Sequence, residues 1–317
     1  MARSPLPDTV AGGAAQQGRA PARSLLVSLL VSLRPEQWIK NLVVFAGLLF
    51  GLQLFVPRAI GFSVAAFVVF CALSGVVYLF NDVADREADR LHPLKSRRPI
   101  ASGELPPSVA AWTGSGLAVV ALVAAFLVGP MFGLVSVTYV TLLGLYSARL
   151  KHVVIIDVLT IAMGFVLRAV AGAVAIDVPI SQWLLVCTVL LALFLALSKR
   201  RHELVLLAGG ATQHRRILGE YSPYLLDQMI GVVTASTLIA YIFYTMSAET
   251  AHKFGTPYLG LTIPFPLYGI FRYLYLVHLK EGGGSPAEML LADRPLLLCV
   301  ALWVAAVVIL VYHPWGL

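Results

Sequence analysis

The stretch Asn81-Asp82-Val83-Ala84-Asp85-Arg86-Glu87-Ala88-Asp89 places several reactive side chains at helical spacing. Asp82, Asp85 and Asp89 recur at three and four residues, so on one helix they form a stripe of carboxylates. Like charges this close repel, and a divalent cation among them relieves the repulsion. An all-oxygen ligand set suits Mg²⁺, which is usually held by one or two carboxylates and completed by substrate phosphates. Just downstream, Lys95-Ser96-Arg97-Arg98 supplies three cations. Arg offers a planar fork for phosphate and Lys a movable point charge. Acids for a metal beside cations for phosphate describe a site for a polyphosphate ligand. The competing readings are a solvated loop of mixed charge for the acids, and anionic lipid head groups for the cations.

The elements that must position these residues are membrane helices. Of 317 residues 59% are hydrophobic and only 12% charged, against roughly 45–50% and about 25% in an average soluble domain. That excludes a soluble globular enzyme and a disordered chain. Apolar runs long enough for a hydrocarbon core about 30 Å thick predict nine spans, near 37–55, 60–80, 107–128, 131–147, 153–176, 180–197, 226–247, 258–279 and 295–312. Val56-Pro57-Arg58, Gly129-Pro130 and Asp177-Val178-Pro179 punctuate them. Of the 23 Lys and Arg, all but Arg58, Lys253, Arg168 and Arg272 fall in the tail and loops of one side. Positive charge marks the cytoplasmic side. The expected protein is therefore an all-α, nine-helix bundle in the plasma membrane, with its N-terminus and its chemistry at the cytoplasmic face and its C-terminus outside. The net charge of +7 follows from that topology and from anionic partners at the membrane, without nucleic acid.

Residues 1–23, rich in Ala, Pro, Gly and Arg, read as a disordered tail rather than a targeting peptide. In 24–34, Ser24, Ser28 and Ser32 recur every four residues and predict an amphipathic helix lying in the interface. Residues 35–317 form the catalytic domain. Cys71, Cys187 and Cys299 sit singly in apolar runs and read as plain buried thiols.

The NDxxDxxxD pattern at 81–89, followed by KSRRPIASG at 95–103 and set among nine predicted spans, resembles the UbiA superfamily of intramembrane prenyltransferases. RPEQWIKN at 34–41, YSARLK at 146–151, FVLRAVAG at 165–172 and SKRRHEL at 198–204 narrow the likeness to its phosphoribosyl-transferring branch. The resemblance runs from about residue 34 to the C-terminus. It implies a UbiA-type bundle that transfers a phosphoribosyl group from phosphoribosyl pyrophosphate to decaprenyl phosphate, or a similar polyprenyl phosphate, for cell-wall arabinan. Mg²⁺ would be the cofactor and membrane lipid a neighbour, and a homo-oligomer is compatible with such a bundle.

One departure from the general prenyltransferase pattern is decisive. An ordinary member carries a second Asp-rich motif after its sixth helix, where this chain reads Lys199-Arg200-Arg201-His202-Glu203. One acid with three cations fits a ligand bearing several phosphates better than a second metal. The expected metal ligands and catalytic residues are Asp82 and Asp85, with Asp89 through water; Asn81 opens the motif on the substrate side. Lys40, Lys95, Arg97 and Arg98 are expected on donor phosphates. By resemblance to the family's Tyr-and-Lys motif, Tyr146 donates a hydrogen bond and Lys151 binds phosphate. Lys199 and Arg201 are further phosphate candidates, although at least one of Lys199, Arg200 and Arg201 must serve topology instead. Glu203 orients a ribose hydroxyl or forms a plain salt bridge.

Two arginines fall inside predicted spans, where a charge costs about 2.5–3.5 kcal/mol or more. Arg168 is open between a structural and a substrate role, and Asp157, about 16 Å away along the same helix, is too distant to pair with it. Arg272 is expected to snorkel. Two other functions stay open: a prenyltransferase acting on an aromatic acceptor, against which the basic 198–204 segment argues, and a transporter, against which the one-sided charge argues.

Overall fold

The computed structural model describes residues 24–92, 95–206, 219–280 and 284–312, and among them only helices and turns occur. Seven helices are long and apolar enough to cross a membrane: α3 (Pro57–Ala84), α6 (Pro107–Val128), α7 (Pro130–Ala148), α8 (Ile156–Ala175), α9 (Gln182–Leu206), α10 (Pro223–Met246) and α14 (Arg294–Tyr312). Their ends fall where the sequence breaks. Proline opens α3, α6, α7 and α10 in the first turn, where a missing N–H costs nothing.

The first and eighth expected spans are built differently. Residues 37–55 are taken up by a 3₁₀ segment, Pro35–Phe45, that passes into a short helix, α2 (Ala46–Phe50). Residues 258–279 become a 3₁₀ turn, Tyr258–Thr262, followed by α12 (Pro264–Leu279). Pro264 and Pro266 account for the second break. Glu36, Gln37, Lys40 and Asn41 make the first segment too polar for a continuous lipid-facing helix. Short helices complete the chain: α1 (Leu25–Ser32), α4 (Arg86–Leu91), α5 (Pro99–Ser102), α11 (Ala248–Phe254) and α13 (Pro286–Ala292).

Helix α8 lies at the centre, packed on α7, α9 and the 3₁₀ segment 35–45. Small residues permit that approach. A Cβ on Gly172 would lie 1.8 Å from the Val44 carbonyl oxygen, and one on Gly47 would lie 2.9 Å from the Ala173 backbone. In a membrane, where apolar surface gains little by leaving lipid, such close backbone packing is a main source of helix association. The surface helix α13 packs across the 35–45 segment.

Helix α1 inverts the usual amphipathic arrangement. Its serines Ser28 and Ser32 are buried against the protein, while Leu25, Leu26, Val27, Leu30 and Val31 are exposed. The Ser32 hydroxyl donates to the Ser28 carbonyl at 2.8 Å. The exposed face of α1 is thus apolar. The expected disordered tail, 1–23, lies outside the described residues.

Candidate active site

Helix α3 has 28 residues, about 42 Å at 1.5 Å per residue, so it outruns the hydrocarbon and carries its last turn to a polar boundary. There it kinks. Asp85 has φ −90° and ψ 7°, outside helical values, and α4 begins at Arg86. The kink divides the expected carboxylate stripe. Asp82 and Asp89 turn inward and are buried, 2% and 3% exposed, whereas Asp85 stays partly open.

A single guanidinium joins the two buried carboxylates. Arg98 Nη1 lies 3.0 Å from Asp82 Oδ1 and 2.6 Å from Asp89 Oδ2. Arg34 Nη2 adds a second donor to Asp82 Oδ1 at 2.6 Å, and its guanidinium stacks 4.8 Å from the Tyr78 ring. Arg34 reaches back in this way because it adopts the left-handed conformation, φ 55° and ψ 64°, at the corner between α1 and Pro35. The ordinary helical region is disfavoured for a residue before proline. On the other side of the kink, Lys151 Nζ donates to Asp85 at 2.9 and 3.1 Å.

Whether these residues suit Mg²⁺ is a question of spacing. Among the described residues no group of three or more His, Cys, Asp or Glu is drawn together tightly enough to hold a metal ion alone, so the expected three-carboxylate cluster is not assembled. The kink removes Asp85 from it. Asp82 and Asp89, however, meet on one nitrogen of Arg98, a gap that one cation already bridges. Two such carboxylates match the kind of Mg²⁺ site that takes its other ligands from phosphate and water.

The remaining candidates fall into separate places. Tyr146, at the end of α7, hydrogen-bonds the Arg200 guanidinium. Arg200 is buried and also donates to Asp157 Oδ2 at 2.6 Å and Glu203 Oε2 at 2.7 Å. Glu203 further meets Lys199 Nζ at 3.8 Å, so the salt-bridge alternative for Glu203 is the one the structure displays. Lys40 stands half-buried on the 35–45 segment, within electrostatic reach of Lys199, Arg168 and Arg34, with Glu288 of α13 across from it. Lys95 and Arg97 lie on the 3₁₀ turn between α4 and α5, the former half-buried and the latter exposed.

Four candidates lie apart from the acids. Asn81 lines a groove of about 350 Å³ between α3, α6 and α7, with Val76, Phe80 and Ser147. Arg201 forks onto Asp227 of α10, a carboxylate that His278 of α12 also contacts. Arg272 donates to both oxygens of Asp293 at 3.2 and 2.8 Å, and those bonds hold the Asp293 carboxyl below the usual range. Arg168 is buried in the bundle with every nitrogen engaged. Its Nε donates to Asn41 Oδ1 at 2.7 Å, Nη2 to the Tyr139 hydroxyl at 2.6 Å and Nη1 to the Gly164 carbonyl at 3.0 Å. Its guanidinium also lies 4.8 Å from the Tyr139 ring and 5.1 Å from that of Phe165.

Arg34, Asp157, Arg200 and Tyr221 carry structure here that sequence reasoning did not assign to the site. The Tyr221 hydroxyl donates to Asp157 Oδ1 at 2.8 Å and accepts the Ile155 N–H at 2.7 Å. Burial and the Asp157 carboxylate push its phenol up to about 12, so it remains a donor at any physiological pH. The sequence signal for this group is one acid, Asp157, inside an apolar run, which implies a partner without naming it.

Comparison with known proteins agrees with this architecture. The model of the UbiA prenyltransferase family matches residues 41–292. The chain is 33% identical over 311 residues to the decaprenyl-phosphate phosphoribosyltransferase of Mycolicibacterium smegmatis, covering 94% of this chain and 96% of that one. It is 33% identical to the protein of the same name from Corynebacterium glutamicum, over 93% and 90% of the two chains. A UbiA homologue from Archaeoglobus fulgidus, solved bound to GPP and Mg²⁺, superposes with a TM-score of 0.69 at 19% identity, covering 90% of this chain and 99% of its own. With its family model matched over most of the chain and its spans in place, this is a multi-pass membrane protein of the UbiA prenyltransferase family.

Proposed function

We propose that the protein transfers the 5-phosphoribosyl group from phosphoribosyl pyrophosphate to decaprenyl phosphate, or a similar polyprenyl phosphate, and releases pyrophosphate. The reading is carried by the near-complete overlap, in both directions, with relatives named for that activity. The chain's own residues agree: the α9 end carries a single acid, Glu203, beside Lys199 and so supplies no second cluster of carboxylates.

Asp82 and Asp89 are the residues that would hold Mg²⁺, which would neutralise charge on the pyrophosphate leaving group. Arg98 and Arg34, freed from those carboxylates, reach the phosphates beside them; Arg supplies two parallel donors to such groups. Lys151, held near the kink by Asp85, binds a further phosphate oxygen, and Lys40 and Lys199 receive the second anionic end of the donor. As the C1–O bond to pyrophosphate breaks, C1 gains oxocarbenium character and an oxygen of the lipid phosphate forms the new C1–O bond. A phosphate monoester, with a second pKa near 6, is already a competent nucleophile at neutral pH. No side chain need remove a proton, so positioning and charge stabilisation supply the rate.

The charge distribution supports nine crossings, the 35–50 and 258–279 segments included, with the N-terminus and this site on the cytoplasmic side and the C-terminus outside. Phosphoribosyl pyrophosphate is a soluble cytoplasmic metabolite class, which suits that side. The product, a lipid-linked pentose phosphate, suits cell-wall arabinan synthesis.

The test uses purified protein in detergent with labelled phosphoribosyl pyrophosphate, decaprenyl phosphate and Mg²⁺. Label moving into the organic phase, and lost with EDTA and in Asp82→Asn, is the expected result. Absence of lipid-borne label together with reaction of a prenyl diphosphate and an aromatic acceptor overturns it in favour of ordinary prenyl transfer.

A further inference from the structure

Ile155 holds a backbone conformation that β-branched residues rarely adopt, φ 68° and ψ −44°. Strain of this kind persists only where the surroundings over-determine it. Here a chain of hydrogen bonds does so. The Ile155 N–H donates to the Tyr221 hydroxyl at 2.7 Å, that hydroxyl donates to Asp157 Oδ1 at 2.8 Å, and Asp157 Oδ2 accepts from Arg200 Nη2 at 2.6 Å. Arg200 continues the chain to Glu203 and Tyr146. The end of α7, the start of α8, the end of α9 and the lead into α10 are thereby tied around one turn.

That turn carries Lys151, four residues before Ile155, and brings its Nζ to 2.9 Å from Asp85. The tying residues themselves are inside the protein: Asp157 is fully buried, Arg200 is 3% exposed and Tyr221 5%. They are therefore placed to act on Lys151 through the backbone rather than on a ligand directly. We infer that Tyr221, Asp157 and Arg200 are positioning residues, which hold the 149–155 turn in its strained form so that Lys151 stands at the acidic motif. The nature of the phosphate that Lys151 meets rests on the proposed function; the tie between Tyr221 and the turn does not.

The test exploits that difference. In full-length protein, Tyr221→Phe deletes one oxygen and with it both hydrogen bonds. Hydrogen exchange localised to the Ile155 amide is expected to quicken at least tenfold, a readout that needs no substrate. In the transfer assay Tyr221→Phe is expected to lower kcat/KM for the donor about tenfold. Repeated on a Lys151→Met background, or on Lys151→Arg if turnover there is too slow, the same change is expected to cost less than twofold. Unchanged exchange at Ile155, or an equal loss in both backgrounds, overturns the inference, because a merely structural role gives additive losses. If the wild-type protein transfers no phosphoribosyl group, the proposed function fails, and the exchange result alone decides whether Tyr221 holds the turn.

Discussion

Arg98 bridges Asp82 and Asp89 with one nitrogen, at 3.0 and 2.6 Å, where two buried carboxylates would otherwise face each other. A divalent cation held there, as proposed, would have to compete with the guanidinium for the same oxygens. Arg98→Met is expected to lower the Mg²⁺ concentration for half-maximal activity. It should also raise the KM for phosphoribosyl pyrophosphate about tenfold or more, since a charge-assisted hydrogen bond is worth roughly 1.5–3 kcal/mol. Mg²⁺ titrations at saturating and limiting donor separate the effects. An unchanged Mg²⁺ midpoint would rule out the competition.

The kink at Asp85 makes a second expectation. With the proposed metal held by these two carboxylates, Asp82→Asn and Asp89→Asn should each cost at least about a hundredfold in transfer, on the scale of lost electrostatic stabilisation, with part of the loss recovered at high Mg²⁺. Asp85 faces Lys151 instead. Asp85→Asn is expected to leave the Mg²⁺ midpoint within about twofold and to act mainly on donor KM, as a lost phosphate contact should. Three variants with equal Mg²⁺ shifts would restore the single stripe of carboxylates that the sequence suggests.

The difference between stripe and kink shows what the sequence can carry. Hydropathy and proline placement give α6 its bounds, 107–128, and most other spans to within a few residues, because burial in lipid imposes length and apolarity locally. The 35–45 segment escaped because an apolar run does not reveal whether its backbone is α or 3₁₀. Asp82, Asp85 and Asp89 are legible as acids at helical spacing, but a one-residue change of backbone angle decides which two converge. The partners of Asp82 and Asp157 were out of reach for another reason. Arg34 lies 48 residues from Asp82, Arg200 lies 43 from Asp157 and Tyr221 lies 64 from it, and only the packing of helices brings them together.

Arg168 is expected to report on stability more than on turnover. Its guanidinium is shared among Asn41, Tyr139 and Gly164, and a buried polar group left without its partner costs about 1–3 kcal/mol. Arg168→Met should lower the melting temperature in detergent by several degrees. Arg168→Lys should rescue little, because an ammonium cannot reproduce the planar fork. A variant that melts normally yet loses donor affinity would instead assign Arg168 to the ligand.

Gly172 faces the Val44 carbonyl so closely that any side chain must displace the 35–45 segment. Overpacking of this kind costs about 1–3 kcal/mol. Gly172→Ala should therefore destabilise the protein. It should also weaken transfer through Lys40, which rides on the displaced segment, with the larger effect on donor KM. Thermal melts and donor titrations on the same preparation check both parts; a loss of stability with an unaltered KM would detach Lys40 from donor binding.

Neighbouring arginines on α9 should differ sharply. Arg200 is enclosed, with Asp157 fully buried against it, so Arg200→Gln leaves a carboxylate without its charge partner, a loss that commonly reaches about 3–5 kcal/mol. Arg201 is drawn outward to Asp227, a partly exposed pair, and pairs of that kind contribute about 0–1 kcal/mol. Arg201→Gln is therefore expected to reduce transfer less than about threefold, and Arg200→Gln more than tenfold with a lower melting temperature. The contrast tests the fold and the site together. If Arg201→Gln proves the more damaging for donor KM, Arg201 rather than the buried Arg200 network serves donor binding.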